Sequence, residues 1–222
     1  MQTKYTSPAG QDLNNMPYHP LDPLDVQVHT SVASSLLNLL PGEDLNERSY
    51  VDCLLLHSPL PTVEQTMEAW QLLESYVPDK IRTLGISNVT LPILQYIYEH
   101  STIKPSVVQN RFYPQTKYDV PLRAFCCEHG ISYQSFWTLS GNPKLLRSKP
   151  VTSITQATGV SESVALYALV SDLGIIALNG TKSSKHMNDD LAGIQDIHEW
   201  AENHEKQWLQ ATLAFKKLIE PS

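Results

Sequence analysis

Tyr50-Val-Asp-Cys-Leu-Leu-Leu56, closed by His57-Ser58-Pro59, and the stretch behind it beginning Thr62-Val-Glu-Gln65 together decide how this chain is read. The first is a short, nearly unbroken apolar run that ends at a turn-forming proline, which reads as a strand buried on both faces. The second is a capping box, in which the threonine oxygen and the glutamine side chain can satisfy each other's free amides. Val63, Met67, Trp70, Leu73 and Val77 then recur on one helical face. One strand followed by one helix is half of a parallel βαβ unit.

The unit repeats in both directions. Upstream, Thr3 to Thr6 reads as a strand, and Leu24, Val28, Val32, Leu36 and Leu39 trace a helix ended by Pro41-Gly42. Downstream come strands at Ile81 to Ile86, Ser106 to Val108, Ile131 to Phe136 and Ile175 to Leu178. Helices are expected between them at Leu91 to His100, Val120 to His129, and Val151 to Leu173 with a break at Gly159. Asp189 to Trp200 and Trp200 to Ile219 read as two closing helices, with Trp200, His204, Trp208, Ala211, Phe215 and Leu218 as a rough apolar stripe. Strands alternating with helices give an α/β fold of about six βα units, and periodicity alone leaves barrel and open sheet both standing.

Bulk properties narrow the function classes. The 222 residues are 41% apolar and 18% charged, which supports a single domain over 1–222. Net charge is −7 with no Lys/Arg cluster, against the basic footprint of a nucleic-acid binder or a membrane-surface protein. Apolar runs are too short to span a bilayer, and the first residues lack the apolar core of a signal peptide, so a cytoplasmic protein is expected. Cys53, Cys126 and Cys127 have no metal-type spacing and read as reduced thiols, and His198 and His204 lack HExxH geometry, so no metal site is expected. Neither GxGxxG after a strand nor GxxxxGK[ST] is present.

In parallel α/β proteins the working residues gather at the carboxyl ends of the strands. Those ends here are Lys4, His57, Ser87, Asn88, Gln109, Asn110 and Phe136. As a set they form a candidate site; the alternative is that they cap helices and satisfy loop amides.

Asp52-Cys-Leu-Leu-Leu-His57-Ser-Pro59, Lys80-Ile-Arg-Thr-Leu-Gly-Ile-Ser-Asn88, Lys104-Pro-Ser-Val-Val-Gln109-Asn and Cys126-Cys-Glu-His-Gly-Ile131 with Phe136 resemble, in order and spacing, successive strands of the aldo-keto reductases. The resemblance implies a TIM-type (β/α) barrel and nicotinamide-dependent handling of a small carbonyl compound. By position it puts Lys4 on the catalytic lysine and His57 on the histidine that orients the carbonyl. It puts Ser87, Asn88 and Gln109 on the holders of the nicotinamide carboxamide, and Phe136 in place of the tyrosine that stacks on the ring. Residues 179–190, with Thr181, Lys182, Lys185 and Asp190, fall on the clamp for the adenosine 2′-phosphate of NADP(H). There the match is poor. Gly180 and His186 stand for a lysine and an arginine, and Asp190 adds negative charge that Lys182 and Lys185 are left to offset.

By the same alignment the chain starts at the family's third strand, so the barrel is expected to be incomplete, without the two opening βα units that carry the catalytic aspartate and the proton-donating tyrosine. Tyr5 should point away from Lys4, while Tyr18 and Tyr113 lie in loops within reach of the rim. The edges near Lys4 and Leu178 then need cover from a homodimer partner, from Gly10 to Pro23, or from the C-terminal helix 199–222 as an edge cover or lid. Three functions stay open. The first is non-redox acid–base catalysis by His57 and Lys4 (dehydration, isomerisation or cyclisation in fungal secondary metabolism). The second is an NADPH-dependent oxidoreductase, and the third a non-catalytic interaction partner.

Overall fold

The computed structural model describes residues 1–39 and 50–220. The expected Pro41-Gly42 helix stop therefore lies outside the described residues. The chain divides into two compact units, one of Met1–Gln109 with Phe125–Ile131 and one of Asn110–Ala124 with Ser132–Ser222. Six strands alternate with helices along the chain, as the repeat predicts.

In the first unit β1 (Gln2–Tyr5), β2 (Val51–Leu56), β3 (Ile81–Ser87) and β4 (Val107–Arg111, shared with the second unit) form parallel ladders in chain order. The helices are α1 (Leu24–Leu39), α2 (Val63–Glu74) and α3 (Leu91–His100). Helix α2 starts where the capping box put it, with the Thr62 side chain accepting from Gln65 N at 3.2 Å. Its buried face is Met67, Ala69, Trp70 and Leu73, and Trp70 Nε1 donates to Ile103 O at 3.0 Å, so the largest core side chain leaves no polar atom unpaired.

Registers fix which residues share a face. Lys4, Leu55, Gly85 and Val107 form one row across β1 to β4, and Tyr5, Leu56, Ile86 and Val108 form the next. Successive side chains alternate faces, so the second row points away from the first. All four of its members are buried, and Tyr5 donates its hydroxyl to Gln27 of α1 at 3.2 Å. At Gly85 an added Cβ would lie 2.4 Å from Leu55 Cδ2 and 2.5 Å from Val107 O, so the row closes over a residue that must have no side chain.

The second unit holds the start of α4 (Val120–Glu128), then β5 (Ser132–Phe136), α5 (Pro143–Leu146), α6 (Lys149–Thr158), α7 (Glu162–Ser171), β6 (Ile176–Ala177), α8 (Ser184–Asn203) and α9 (Glu205–Ile219). The break expected at Gly159 is real: that residue caps α6 at φ 78°. Helix α7 is buried on every side from Val164 to Val170 and is the central helix of this unit. Helix α9 packs on α6 and α8 through Ala211, Phe215 and Ile219, an ordinary amphipathic arrangement. Leu218, expected in the stripe, is exposed, and Ile219, four residues past Phe215, is buried in its place. Asp189 was expected to open α8, but the helix starts five residues earlier, where Ser183 accepts from His186 N at 3.3 Å.

Gly85→Ala should cost about 3 kcal/mol, at the upper end for overpacking. Urea unfolding should show a lower midpoint at unchanged slope; an unshifted midpoint would mean that Leu55 and Val107 have room to yield.

Candidate active site

Two residues past the Lys4 row, Ser87 and Gln109 pair on the same face, while Thr6 and His57 directly follow the last residues of β1 and β2. Three of the residues singled out in the sequence, Lys4, Ser87 and Gln109, therefore share one face of one sheet, with His57 at its rim. Lys4 Nζ donates to Gln109 Oε1. On a flat sheet β1 and β4 would be roughly 14 Å apart at about 4.8 Å per strand, beyond the combined reach of the two side chains. The bond requires a sheet curled with this face concave, as a barrel wall is.

The remaining contacts hold the rim together. Ser87, fully buried, donates its hydroxyl to Gln109 O at 2.6 Å. Asn88 has φ 54°, a left-handed conformation that asparagine tolerates. Its backbone N–H donates to Gln109 O at 3.2 Å and its side-chain amide to His57 O at 2.9 Å. The backbone N–H of His57 donates to Tyr5 O at 2.8 Å, and an added Cβ on Gly10 would lie 3.2 Å from His57 Nδ1, so the turn Pro8–Gly10 packs against the imidazole. Burial holds the Lys4 ammonium below the ordinary lysine value. Tyr5 points to the other face, as expected. Tyr18 does not serve the rim: it is buried beside Tyr5, ring centroids 6.2 Å apart, and its hydroxyl donates to Thr6 O.

The second unit brings together the other candidates. Phe136 and the half-exposed Trp137 line a cavity of about 390 Å³ with Tyr167, Asn179 and Thr181. The Arg111 guanidinium lies over both rings, 5.3 Å from the Phe136 centroid and 4.8 Å from that of Trp137. Tyr113 meets Trp137 edge-on at 6.2 Å, so of the two loop tyrosines this one reaches an aromatic cleft. A larger cavity of about 680 Å³ continues from it, sharing Leu139, Asn179 and Thr181, and reaches His186, Asp189, Asp190 and Asp196. Asp190 accepts from the Asn179 amide. Lys182 and Lys185 are exposed and line neither cavity. The sequence reading missed Arg111, Trp137 and Asp196. Arg111 was discoverable, since it lies two residues past Gln109 on the same strand face.

Among the described residues no group of three or more His, Cys, Asp or Glu is placed to hold a metal. None of the described helices is long and apolar enough to cross a membrane.

A curled parallel sheet with titratable groups on its concave face is the architecture of a (β/α)-barrel enzyme. The pattern of the Aldo/keto reductase family matches residues 42–217, and the chain belongs to that family. It is 29% identical over 178 residues to the NAD/NADP-dependent indole-3-acetaldehyde reductase of Schizosaccharomyces pombe, covering 71% of this chain and 62% of that protein. It is 28% identical over 153 residues to the NADPH-dependent alpha-keto amide reductase of Saccharomyces cerevisiae, covering 63% and 49%. The chain thus spans about half to three fifths of the length of these relatives. The crystal structure of an aldo/keto reductase from Brucella melitensis superposes with a TM-score of 0.65 at 19% identity, covering 89% of this chain and 72% of that one, and so shares its fold.

A titration of ¹³C-dimethylated lysines by NMR should show Lys4 losing its proton at lower pH than the surface lysines. Gln109→Leu should lower that midpoint further, because the charged form loses its acceptor. With the folded value below the unfolded one, protonating Lys4 opposes folding, and the penalty fades as pH rises through that interval. A Lys4 resonance that titrates with the exposed lysines would refute the buried placement.

Proposed function

We propose that this chain takes part in the nicotinamide-dependent reduction of a small carbonyl compound, with Lys4 and His57 at the reacting carbonyl. The observation that carries this reading is the Lys4–Gln109 contact, which joins the residue assigned to the carbonyl with one assigned to the nicotinamide carboxamide. The activities of the two yeast relatives, both reductases, favour reduction over the dehydration, isomerisation or cyclisation that the sequence alone put first.

The residues present fit a nicotinamide cofactor in two respects. Gln109 is held at a fixed position with Lys4 on its side chain and Ser87 and Asn88 on its carbonyl. In the second unit, taken by itself, Phe136 and Trp137 offer π-faces in a cleft with room for a ring. A bound reduced nicotinamide supplies the hydride. His57 orients the carbonyl by donating from its imidazole to the oxygen. Hydride arrival makes that oxygen an alkoxide, which the Lys4 cation stabilises and which must take a proton from a matched donor. Of the residues named at this rim, His57 and Lys4 are the two whose side chains can act as acids near neutral pH. Lys4's lowered pKa brings it nearer to working pH than an ordinary lysine, which favours proton transfer.

Oxidation of NADH or NADPH by a reactive aldehyde such as glyoxal, followed at 340 nm, is the test, alongside quenching of Trp137 emission by the cofactor. Turnover should fall at least a hundredfold in His57→Ala, the usual scale for a lost acid–base group, while cofactor quenching persists. If neither NADH nor NADPH binds at millimolar concentration, the proposal falls.

A further inference from the structure

The larger cavity of the second unit has a chemistry of its own. Asp189, Asp190 and Asp196 line it, and no lysine or arginine does. Its other polar walls are hydroxyls, the Asn179 amide and the His186 imidazole, with Leu139, Val160 and Val164 as apolar surface. Three carboxylates accept hydrogen bonds and donate none. A ligand suited to such walls brings hydroxyl or amino donors and an apolar face, and carries no anion at this end. The volume, about 680 Å³, is in the range of small-molecule sites.

The cavity is also one end of a longer groove. It shares Leu139, Asn179 and Thr181 with the aromatic cleft of Phe136 and Trp137. The two ends are linked electrostatically as well. Burial raises the Tyr167 hydroxyl above its ordinary value, and the Asp190 carboxylate adds to the rise, though Tyr167 lines the aromatic cleft and Asp190 the acidic cavity. An elongated ligand with a ring at one end and a donor-rich group at the other matches this groove. Asp190 is held by the Asn179 amide, so one acceptor at the junction is fixed before any ligand arrives.

We propose that the cavity holds the adenosine end of a dinucleotide whose ribose bears free hydroxyls, and that Asp189, Asp190 and Asp196 exclude a 2′-phosphate, making NAD(H) rather than NADP(H) the cofactor. This rests on the reductase reading above. The ribose diol donates to the carboxylates, whereas a phosphate at the same place meets three like charges and no cation. Lys182 and Lys185, which lie just before and in the first turn of α8, do not line the cavity.

Adenosine 5′-monophosphate and adenosine 2′,5′-bisphosphate differ only in the group at issue, so calorimetric binding of the two to the whole chain is the test. The monophosphate should bind at least tenfold tighter, and the ratio should fall toward one in 0.5 M salt as the repulsion is screened. Asp189→Lys and Asp196→Lys, both at exposed positions, should each raise the ratio of bisphosphate to monophosphate affinity at least tenfold. Equal or tighter binding of the bisphosphate by the unsubstituted chain would overturn this inference and leave the reductase reading intact. Binding of NADH without binding of either adenosine nucleotide would overturn the placement of the adenosine. Absence of binding by all of these, NADPH included, would overturn both.

Discussion

Lys4 and Gln109 sit on the first and fourth strands of a parallel ladder, and the bond between their side chains constrains everything between them. Their strands approach closely enough only if the sheet curls, and it curls only if the concave side is kept clear. Gly85 does that. It stands in the same row as Lys4, and its missing side chain lets Leu55 lie across the strand to within 2.4 Å of where a Cβ would be. On the convex side Tyr5, Leu56, Ile86 and Val108 are buried, which resists flattening. One apolar layer and one absent side chain thus set the distance between two polar groups.

On the proposed reading, the rim's polar residues serve structure and chemistry at once. Ser87 and Asn88 both donate to Gln109 O, and Asn88 reaches back to His57 O. These bonds join the carboxyl ends of β2, β3 and β4. They also hold the backbone beneath His57 and Gln109, which a site needs if reacting groups are to meet without rearranging. The two readings left open by the sequence, rim capping and carbonyl chemistry, are therefore compatible. Capping by Asn88 uses the backbone carbonyl of His57 and not its imidazole.

Most of the fold was legible because buried strands and amphipathic helices write their period into the chain. The Thr62 cap, the Gly159 break and the opposed faces of Lys4 and Tyr5 all follow from local rules. What escaped was local geometry without a period. The turn after β4 runs Lys117, Tyr118 and Asp119 at φ 51°, 54° and 51°. It is held by Asn110 and Tyr133 donating to the Asp119 carboxylate at 2.8 and 2.9 Å. Those partners lie nine and fourteen residues away, so no window of helix or strand length reveals them. The site divided in the same way. Residues at strand ends were legible by position, but the side chains that turn into the cavity of α8 depend on helix phase. Once Ser183 rather than Asp189 caps that helix, His186 joins Asp189 and Asp196 on it, and all three line the cavity.

That phase matters more than the overall charge. A chain of net charge −7 does not attract a dinucleotide from a distance, and at physiological salt fields fade within about 8 Å. Recognition must then come from contacts made at close range. In the second unit those contacts are aromatic faces, an Arg111 guanidinium over them, hydroxyls and carboxylates. Arg111 lies over the aromatic cleft, and Asp189, Asp190 and Asp196 line the far cavity. A ligand with anionic groups toward the middle and neutral donors at its far end fits that gradient, and one more phosphate at the acidic end works against it.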